Sequence, residues 1–351
     1  MKTLADVDVA QKRVFLRADL DVPIEAVDDK TLESGLSMEQ SVRLQNLKPT
    51  VERLLSQDVK QIVIAGHIGR PSGKDVPEGK PKNYNSGLST IHILETLQNI
   101  LGSNITFNQN LNDGTNGRLV LLENLRFWPG EIENEYGFAK QLSNLADIYI
   151  NEAFGNSHRA HASMVTLPRI LPHAGGLQLQ REIEEFNSLL TNHQKPFIAV
   201  VGGAKIETKV PVIEHLAKIA DFVLVGGELP VEIAQHKMKF SENVLVAKLT
   251  DDKKDISDES TQVFVDKIRS AKIVIWNGPM GMYEKGFEKG TVLIAQTIVE
   301  SGAYSVVGGG ETTEFLIGKN LLYGFSFVST GGGAMLEFLA GKELPGIKAL
   351  E

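Results

Sequence analysis

The chain contains no cysteine. Disulfides, thiolate metal sites and a cysteine nucleophile are therefore all excluded. No apolar run approaches the roughly 20 residues needed to cross a bilayer. Residues Met1–Ala10 are polar and acidic, without the basic region and apolar stretch of a secretory signal, which leads us to expect a cytoplasmic protein. An excess of positive charge is missing too: 36 Lys and Arg against 44 Asp and Glu leave a net charge of −8. That balance argues against broad nucleic-acid binding. Arginine is almost absent from the second half, where Arg269 stands alone, while the first half holds Arg13, Arg17, Arg43, Arg53, Arg70, Arg118, Arg126, Arg159, Arg169 and Arg181. Neither G-x-x-x-x-G-K-[ST] nor G-x-G-x-x-G occurs, so a P-loop and the usual dinucleotide turn are excluded.

What is present reads as an α/β protein. A length of 351 residues exceeds one ordinary core and predicts two domains. Short runs rich in β-branched residues recur at Val14–Leu16, Ile62–Ala65, Leu119–Leu122 and Ile148–Ile150, then at Phe197–Val201, Phe222–Val225, Ile273–Trp276, Tyr304–Val307 and Phe325–Val328. Continuous apolar strands alternating with helical patterns indicate parallel sheets covered on both faces. After Gly175-Gly176, the spacing of Leu177, Leu179, Ile183, Phe186, Leu189 and Leu190 predicts an interdomain helix closed by Asn192 and Pro196. Segment Ser72–Ser86, rich in Pro, Gly and Lys, reads as a surface loop.

Ligands of open parallel sheets bind beyond the carboxyl ends of the strands. In the first half those positions carry Arg17-Ala-Asp19-Leu-Asp21, His67-Ile-Gly-Arg70, Glu123-Asn-Leu-Arg126, and Asn151 through His158-Arg159-Ala-His161. Four post-strand arginines at one sheet edge predict an anion site. Ser37-x-x-Gln40 reads as a capping box, and Leu44, Leu47, Val51, Leu54 and Leu55 mark an apolar helical face that sets Arg43 near the helix start.

In the second half the strand ends carry glycine: Gly202-Gly203-Ala-Lys205, Gly226-Gly227-Glu228, Asn277-Gly278-Pro279, Gly308-Gly309-Gly310-Glu311 and Thr330-Gly331-Gly332-Gly333. Glycine admits close backbone approach to phosphate, and a following helix turns its positive end toward the anion. Lys205 and Lys209, four apart, share one face of a predicted helix start. Glu311 either complements a helix N-terminus or holds Mg²⁺. A compact-anion site in one half and a polyphosphate site in the other form the arrangement expected for phosphoryl transfer between two substrates.

These segments resemble the phosphoglycerate kinase family from end to end, most specifically in Ala153–Ser163, Trp276–Gly281 and Ser329–Ala334. The resemblance implies two Rossmann-like three-layer domains with parallel sheets joined by an interdomain helix: 1–174 for phosphoglycerate, 175–193 as the helix, 194–336 for nucleotide, and 337–351 as a tail packing back on the first domain. It implies an Mg²⁺-dependent, monomeric, hinge-bending enzyme acting on phosphoglycerate and ADP or ATP, with no nucleic-acid or membrane partner. Asp19, Asp21, Arg43, His67, Arg70, Arg126 and Arg159 would bind the glycerate substrate, and Arg43 would also stabilise the group in flight. Lys205 and Lys209 would hold the nucleotide and transferred phosphates. Gly203, Gly227, Asn277, Glu284, Gly308, Gly309, Gly310, Glu311 and Thr312 fall at nucleotide positions, Glu284 suiting the ribose hydroxyls and Glu311 the metal. Gly331 to Gly333 would face the transferring phosphate, with Gly332 counted among the catalytic groups.

The chain departs from the family pattern at several points. Asp21 replaces an Asn, putting an acceptor-only anion where an amide stood, which should weaken binding of an anionic substrate unless an arginine pairs with it. Glu311 replaces an Asp, and Glu228-Leu229-Pro230 replaces the end of a Gly-rich run. Between Val244 and Thr261 the chain is tens of residues shorter, in a region that helps wall the adenine pocket, so base preference becomes open while the sheet should survive. These departures motivate an alternative: a catalytically impaired relative acting as a metabolite-binding or scaffold protein.

Overall fold

A computed structural model describes residues 1–22, 24, 42–73, 76, 78–111, 116–191 and 194–351. The chain divides into two compact units: Met1–Ile183 with Leu344–Glu351, and Glu184–Glu343. The helix Leu177–Thr191 contains the division point.

The first unit is built on six strands: β1 Arg13–Arg17, β2 Gln61–Ala65, β3 Thr106–Asn108, β4 Leu119–Leu122, β5 Ile148–Asn151 and β6 His173–Gly175. They form one parallel sheet in the order β3-β4-β2-β1-β5-β6. Strands β2, β4 and β5 are buried at every residue, as their unbroken apolar runs require. The chain leaves β1 toward β2 on one side and returns to β5 on the other, so β1 and β5 flank the topological switch. The predicted helix beyond Gln40 is two helices, Val42–Gln45 and Lys48–Ser56. Pro49 lies in the first turn of the second, where its missing N–H costs nothing. Leu44, Leu47, Val51 and Leu54 still bury one face against the sheet core. The predicted capping box at Ser37 and Gln40 lies outside the described residues. The C-terminal segment joins this unit: Gly346 N donates to Ser157 O at 2.8 Å and Asn151 Nδ2 to Gly346 O at 3.4 Å.

The second unit repeats the plan with β7 Phe197–Val201, β8 Phe222–Val225, β9 Val244–Val246, β10 Ile273–Asn277, β11 Tyr304–Gly308 and β12 Phe327–Ser329. All pairs are parallel, in the order β12-β11-β10-β7-β8-β9, and the switch falls between β7 and β10. Both halves thus have the predicted class, parallel-sheet α/β with helices on the sheets. Strands β3, β6 and β9 were not anticipated. Each is three residues long at a sheet edge, and β3 and β9 are half-solvated, so neither length nor unbroken apolarity marks them.

Over the stretch expected to be shortened, the chain closes through an antiparallel bridge, Leu249 to Ile256, before the helix Asp258–Arg269. The resulting hairpin leans on the stretch after β10: Met282 N donates to Lys254 O at 2.8 Å, and Asp255 accepts from Gly290 N at 3.0 Å. Strand β10 stays central and fully buried.

Candidate functional site

In the first unit, the residues following β1, β2, β4 and β5 converge. Arg43 donates from Nη1 to the Asp21 carbonyl at 2.8 Å and stands 3.5 Å from Asp19 Oδ1. Asp19 also accepts from Asn156 Nδ2 at 3.2 Å, which ties the β1 end to the β5 loop. Asp21 Oδ1 accepts from Gly69 N at 2.8 Å, and its Oδ2 lies 3.8 Å from His67 Nε2. Arg126 donates from Nη1 to Gly69 O at 2.7 Å. Gly69 is thus gripped from both sides, which positions the loop carrying His67. Arg70, in the same loop, is exposed and enters none of these contacts.

This cluster holds more positive charge than its partners neutralise. The pKa of Arg126 is lowered to about 10, first by burial and then by Arg159. His158 and His161 are lowered to about 4 and about 3, again by burial first and then by nearby arginines. His67 is pushed well below its ordinary value by burial, with Arg17 and Arg126 next. Several polar atoms are buried with no hydrogen-bond partner among the described residues: Asp19 Oδ2, His67 Nε2, Arg126 Nε, His158 Nδ1 and His161 Nδ1. Such atoms are rare in folded proteins and cluster where a ligand completes them. The donors among them, set in a field of mutually repelling cations, suit an anion.

Arg17, His161, Ser163 and Glu131 belong to this cluster but not to the predicted binding set. Arg17 is wholly buried at the end of β1. Its post-strand position, like that of His161, did mark it for the anion site, and only the set implied by the resemblance leaves it out, whereas Glu131 lies on the short helix Pro129–Ile132 and carries no signal at a strand end.

In the second unit, the glycine turns pack first against one another. A Cβ on Gly202 would lie 2.6 Å from the Gly278 carbonyl, and one on Gly278 (φ 97°) would lie 2.8 Å from Gly203 N. Neither site admits a side chain. The amides of Gly203 and Gly227 are engaged with Pro279 O at 2.9 Å and Met280 O at 3.1 Å, so they face protein. Thr312 is buried, and its hydroxyl accepts from Gly278 N at 2.8 Å.

Free amides are supplied elsewhere. The helices Ile206–Leu216, Gly310–Gly318 and Gly332–Leu339 all begin without a side-chain cap, after Lys205, Gly309 and Gly331. A Cβ on Gly332 would stand 2.9 Å from Gly309 Cα, so the last two helix starts lie against each other beyond β11 and β12. Uncapped N-termini offer orphan N–H groups and positive dipole ends to an anion. Lys209 is buried beside them and donates to both the carbonyl and side-chain oxygens of Asn277. Asn277 Nδ2 in turn donates to Gly308 O at 2.9 Å. Burial lowers Lys209 to about 7, opposed by Glu311 and reinforced by Lys205. Lys205 and Glu311 are exposed, as is Glu284 on the single turn Tyr283–Lys285.

The phosphoglycerate kinase family model matches residues 4–243 and 229–342. The two matched spans overlap over residues 229–243. The phosphoglycerate kinase of Desulforudis audaxviator is 32% identical over 397 aligned positions, covering 100% of this chain and 99% of the relative. That of Wolinella succinogenes is 32% identical over 370 positions, covering 89% of this chain and 88% of the relative. Among solved structures, phosphoglycerate kinase from Pyrococcus horikoshii superposes with a TM-score of 0.82 at 27% identity, covering 100% of this chain and 98% of that one. The Coxiella burnetii phosphoglycerate kinase gives 0.78 at 28% identity, covering 99% and 98%. In sequence and fold, the chain belongs to the phosphoglycerate kinase family.

Proposed function

We infer that the chain is a phosphotransferase that moves a phosphoryl group reversibly from 1,3-bisphosphoglycerate to ADP, giving 3-phosphoglycerate and ATP. One observation carries the reading. A chain of this family holds an arginine–histidine cluster with orphaned buried donors in one unit, and three uncapped helix N-termini around a buried lysine in the other. We assign the glycerate substrate to Asp19, Asp21, Arg43, His67, Arg126 and Arg159, with Arg70 joining from its exposed position. The nucleotide goes to Lys205, Lys209, Asn277, Glu284 and the helix starts at Gly309-Gly310-Glu311 and Gly331-Gly332. Gly203, Gly227, Gly308 and Thr312 act there by shaping the turns.

Both substrates are anions at neutral pH, so transfer needs no general base. Positioning and charge stabilisation suffice. Arg43, held by the Asp21 carbonyl, would keep its guanidinium toward the acyl phosphate, and Lys209 would meet the nucleotide phosphates with a charge that they restore. Glu311 fits magnesium as an exposed carboxylate near the proposed phosphate site, because Mg²⁺ takes one or two protein carboxylates and fills its shell with phosphate and water. When bound, the ion neutralises charge on the nucleotide phosphates. We further propose a cytoplasmic monomer that closes its two domains during turnover, as transfer between separately bound substrates requires.

The impaired-relative alternative draws no support from the site. The helix starts after Lys205, Gly309 and Gly331 are uncapped, Lys209 is buried against Asn277, and the stretch after β9 closes in a hairpin. A coupled assay with 3-phosphoglycerate and MgATP tests the reading, with GTP as second donor and Lys205→Ala as control. Turnover that collapses in the control is expected. A folded wild-type protein inert with both nucleotides would overturn the enzyme reading.

A further inference from the structure

Arg17 makes four contacts, and together they determine the state of His67. Its Nε donates to Ser163 Oγ at 2.7 Å, one Nη donates to the Ala18 carbonyl, and the other lies 3.2 Å from His67 Nδ1 and 4.0 Å from Glu131 Oε1. Ser163 is fixed in turn. Its Oγ donates to Glu131 Oε1 at 2.6 Å and its N–H to Oε2 at 2.9 Å. With its only hydroxyl hydrogen given to Glu131, Ser163 can offer Arg17 nothing but a lone pair, which is what a guanidinium needs.

A guanidinium has donors only. The His67 nitrogen facing it must therefore accept, so Nδ1 carries no proton. An imidazolium would oppose two N–H groups at this contact. The neutral ring then carries its hydrogen on Nε2. That atom is buried with no hydrogen-bond partner among the described residues, and Asp21 Oδ2 at 3.8 Å is beyond hydrogen-bonding range. The other groups facing the ring are Arg126, Arg159 and His161, which also resist its protonation.

We propose that Arg17, held by Ser163 and Glu131, is a positioning residue that locks His67 as the neutral Nε2–H tautomer and so aims one N–H donor at an oxygen of the bound substrate anion. The anion's location rests on the function proposed above, whereas the tautomer does not. A lone histidine at this position would be free to present either an acceptor or a cation. The relay Glu131–Ser163–Arg17–His67 removes that choice before substrate arrives.

Nitrogen-15 NMR of histidine-labelled, ligand-free protein reads the tautomer directly, with His67 assigned by the resonance lost in His67→Gln. Across about pH 6 to 8 the wild type should show Nε2 protonated and Nδ1 bare. Arg17→Met should give a tautomer mixture that protonates nearer the ordinary histidine range, with the KM for 3-phosphoglycerate raised about tenfold, the scale of one lost charge-assisted hydrogen bond. Ser163→Ala removes the Nε acceptor without emptying the arginine's space, and should shift the tautomer ratio the same way if Arg17→Met does not fold. Adding 3-phosphoglycerate to the wild type should move the Nε2–H resonance. A wild-type Nδ1–H tautomer, an imidazolium, or a tautomer unchanged in both variants would overturn the role of Arg17. A resonance indifferent to 3-phosphoglycerate in an active enzyme would overturn the aimed donor while leaving the kinase reading standing.

Discussion

Nucleotide binding should draw a proton from solvent, and Lys209 is the reason. Its ammonium is buried, and desolvation lowers its pKa to about 7. At pH 8 such a group is only about 10% charged, and at pH 7 about half. Phosphate oxygens arriving at the neighbouring helix starts would favour the charged form and return the pKa toward its ordinary value near 10.5. Binding at pH 8 should then take up about 0.9 proton per nucleotide, and about 0.5 at pH 7. Affinity should accordingly weaken as pH climbs above 7, by up to tenfold per unit. Isothermal titration of MgADP in two buffers of different ionisation heat measures the uptake as the slope of observed heat against that heat. Lys209→Met, which keeps the stem and removes the titrating group, sets the baseline contributed by the nucleotide itself. A slope at pH 8 equal to that of Lys209→Met would refute the argument, because a buried amine meeting phosphate must change its protonation.

Three other perturbations have expected outcomes. Asp21→Asn keeps an acceptor for Gly69 N and removes one negative charge beside His67, so the KM for 3-phosphoglycerate should fall several-fold at low salt and less at high salt; a rise, or indifference to salt, would contradict the placement of the anion. Gly202→Ala would drive a methyl into the carbonyls of Pro279 and Gly278, and denaturant unfolding should show a loss of about 1–3 kcal/mol. Glu152 is buried under the start of the helix Leu177–Thr191, accepting from Thr50 Oγ1 and Gln178 N, and burial raises its pKa to about 7. The folded state then holds a proton that the unfolded state releases, so its contribution is complete below about pH 4.5 and fades as pH rises to 7. By linkage it is worth at most about 3 kcal/mol. Stability measured against pH for Glu152→Gln should lack that decline.

The central strands were legible because parallel strands buried on both faces cannot tolerate polar interruption, and their runs are long and apolar. The strand-end arginines and glycines were legible for a related reason: the carboxyl ends of those runs mark the ligand side in advance. The edge strands β3, β6 and β9 escaped because an edge pairs on one side only and can be short and half-polar. Glu131 escaped because its role depends on Ser163, 32 residues later, returning to it in space.

By itself, the amino-acid sequence determined the class of the fold, the number of domains, the division between an arginine-rich and a glycine-rich half, and the family. The first three follow from periodicity, composition and local motifs, and the family from the resemblance of whole segments, none of which needs a third dimension. Only the tertiary structure decided what each group can do. It engaged the amides of Gly203 and Gly227 with carbonyls on neighbouring turns, so these glycines pack the loops together. It left the helix starts at Gly309 and Gly331 without a side-chain cap, their orphan amides open to an anion. It also buried Lys209 and set Arg17 against His67, because protonation and tautomer are properties of surroundings assembled from distant parts of the chain.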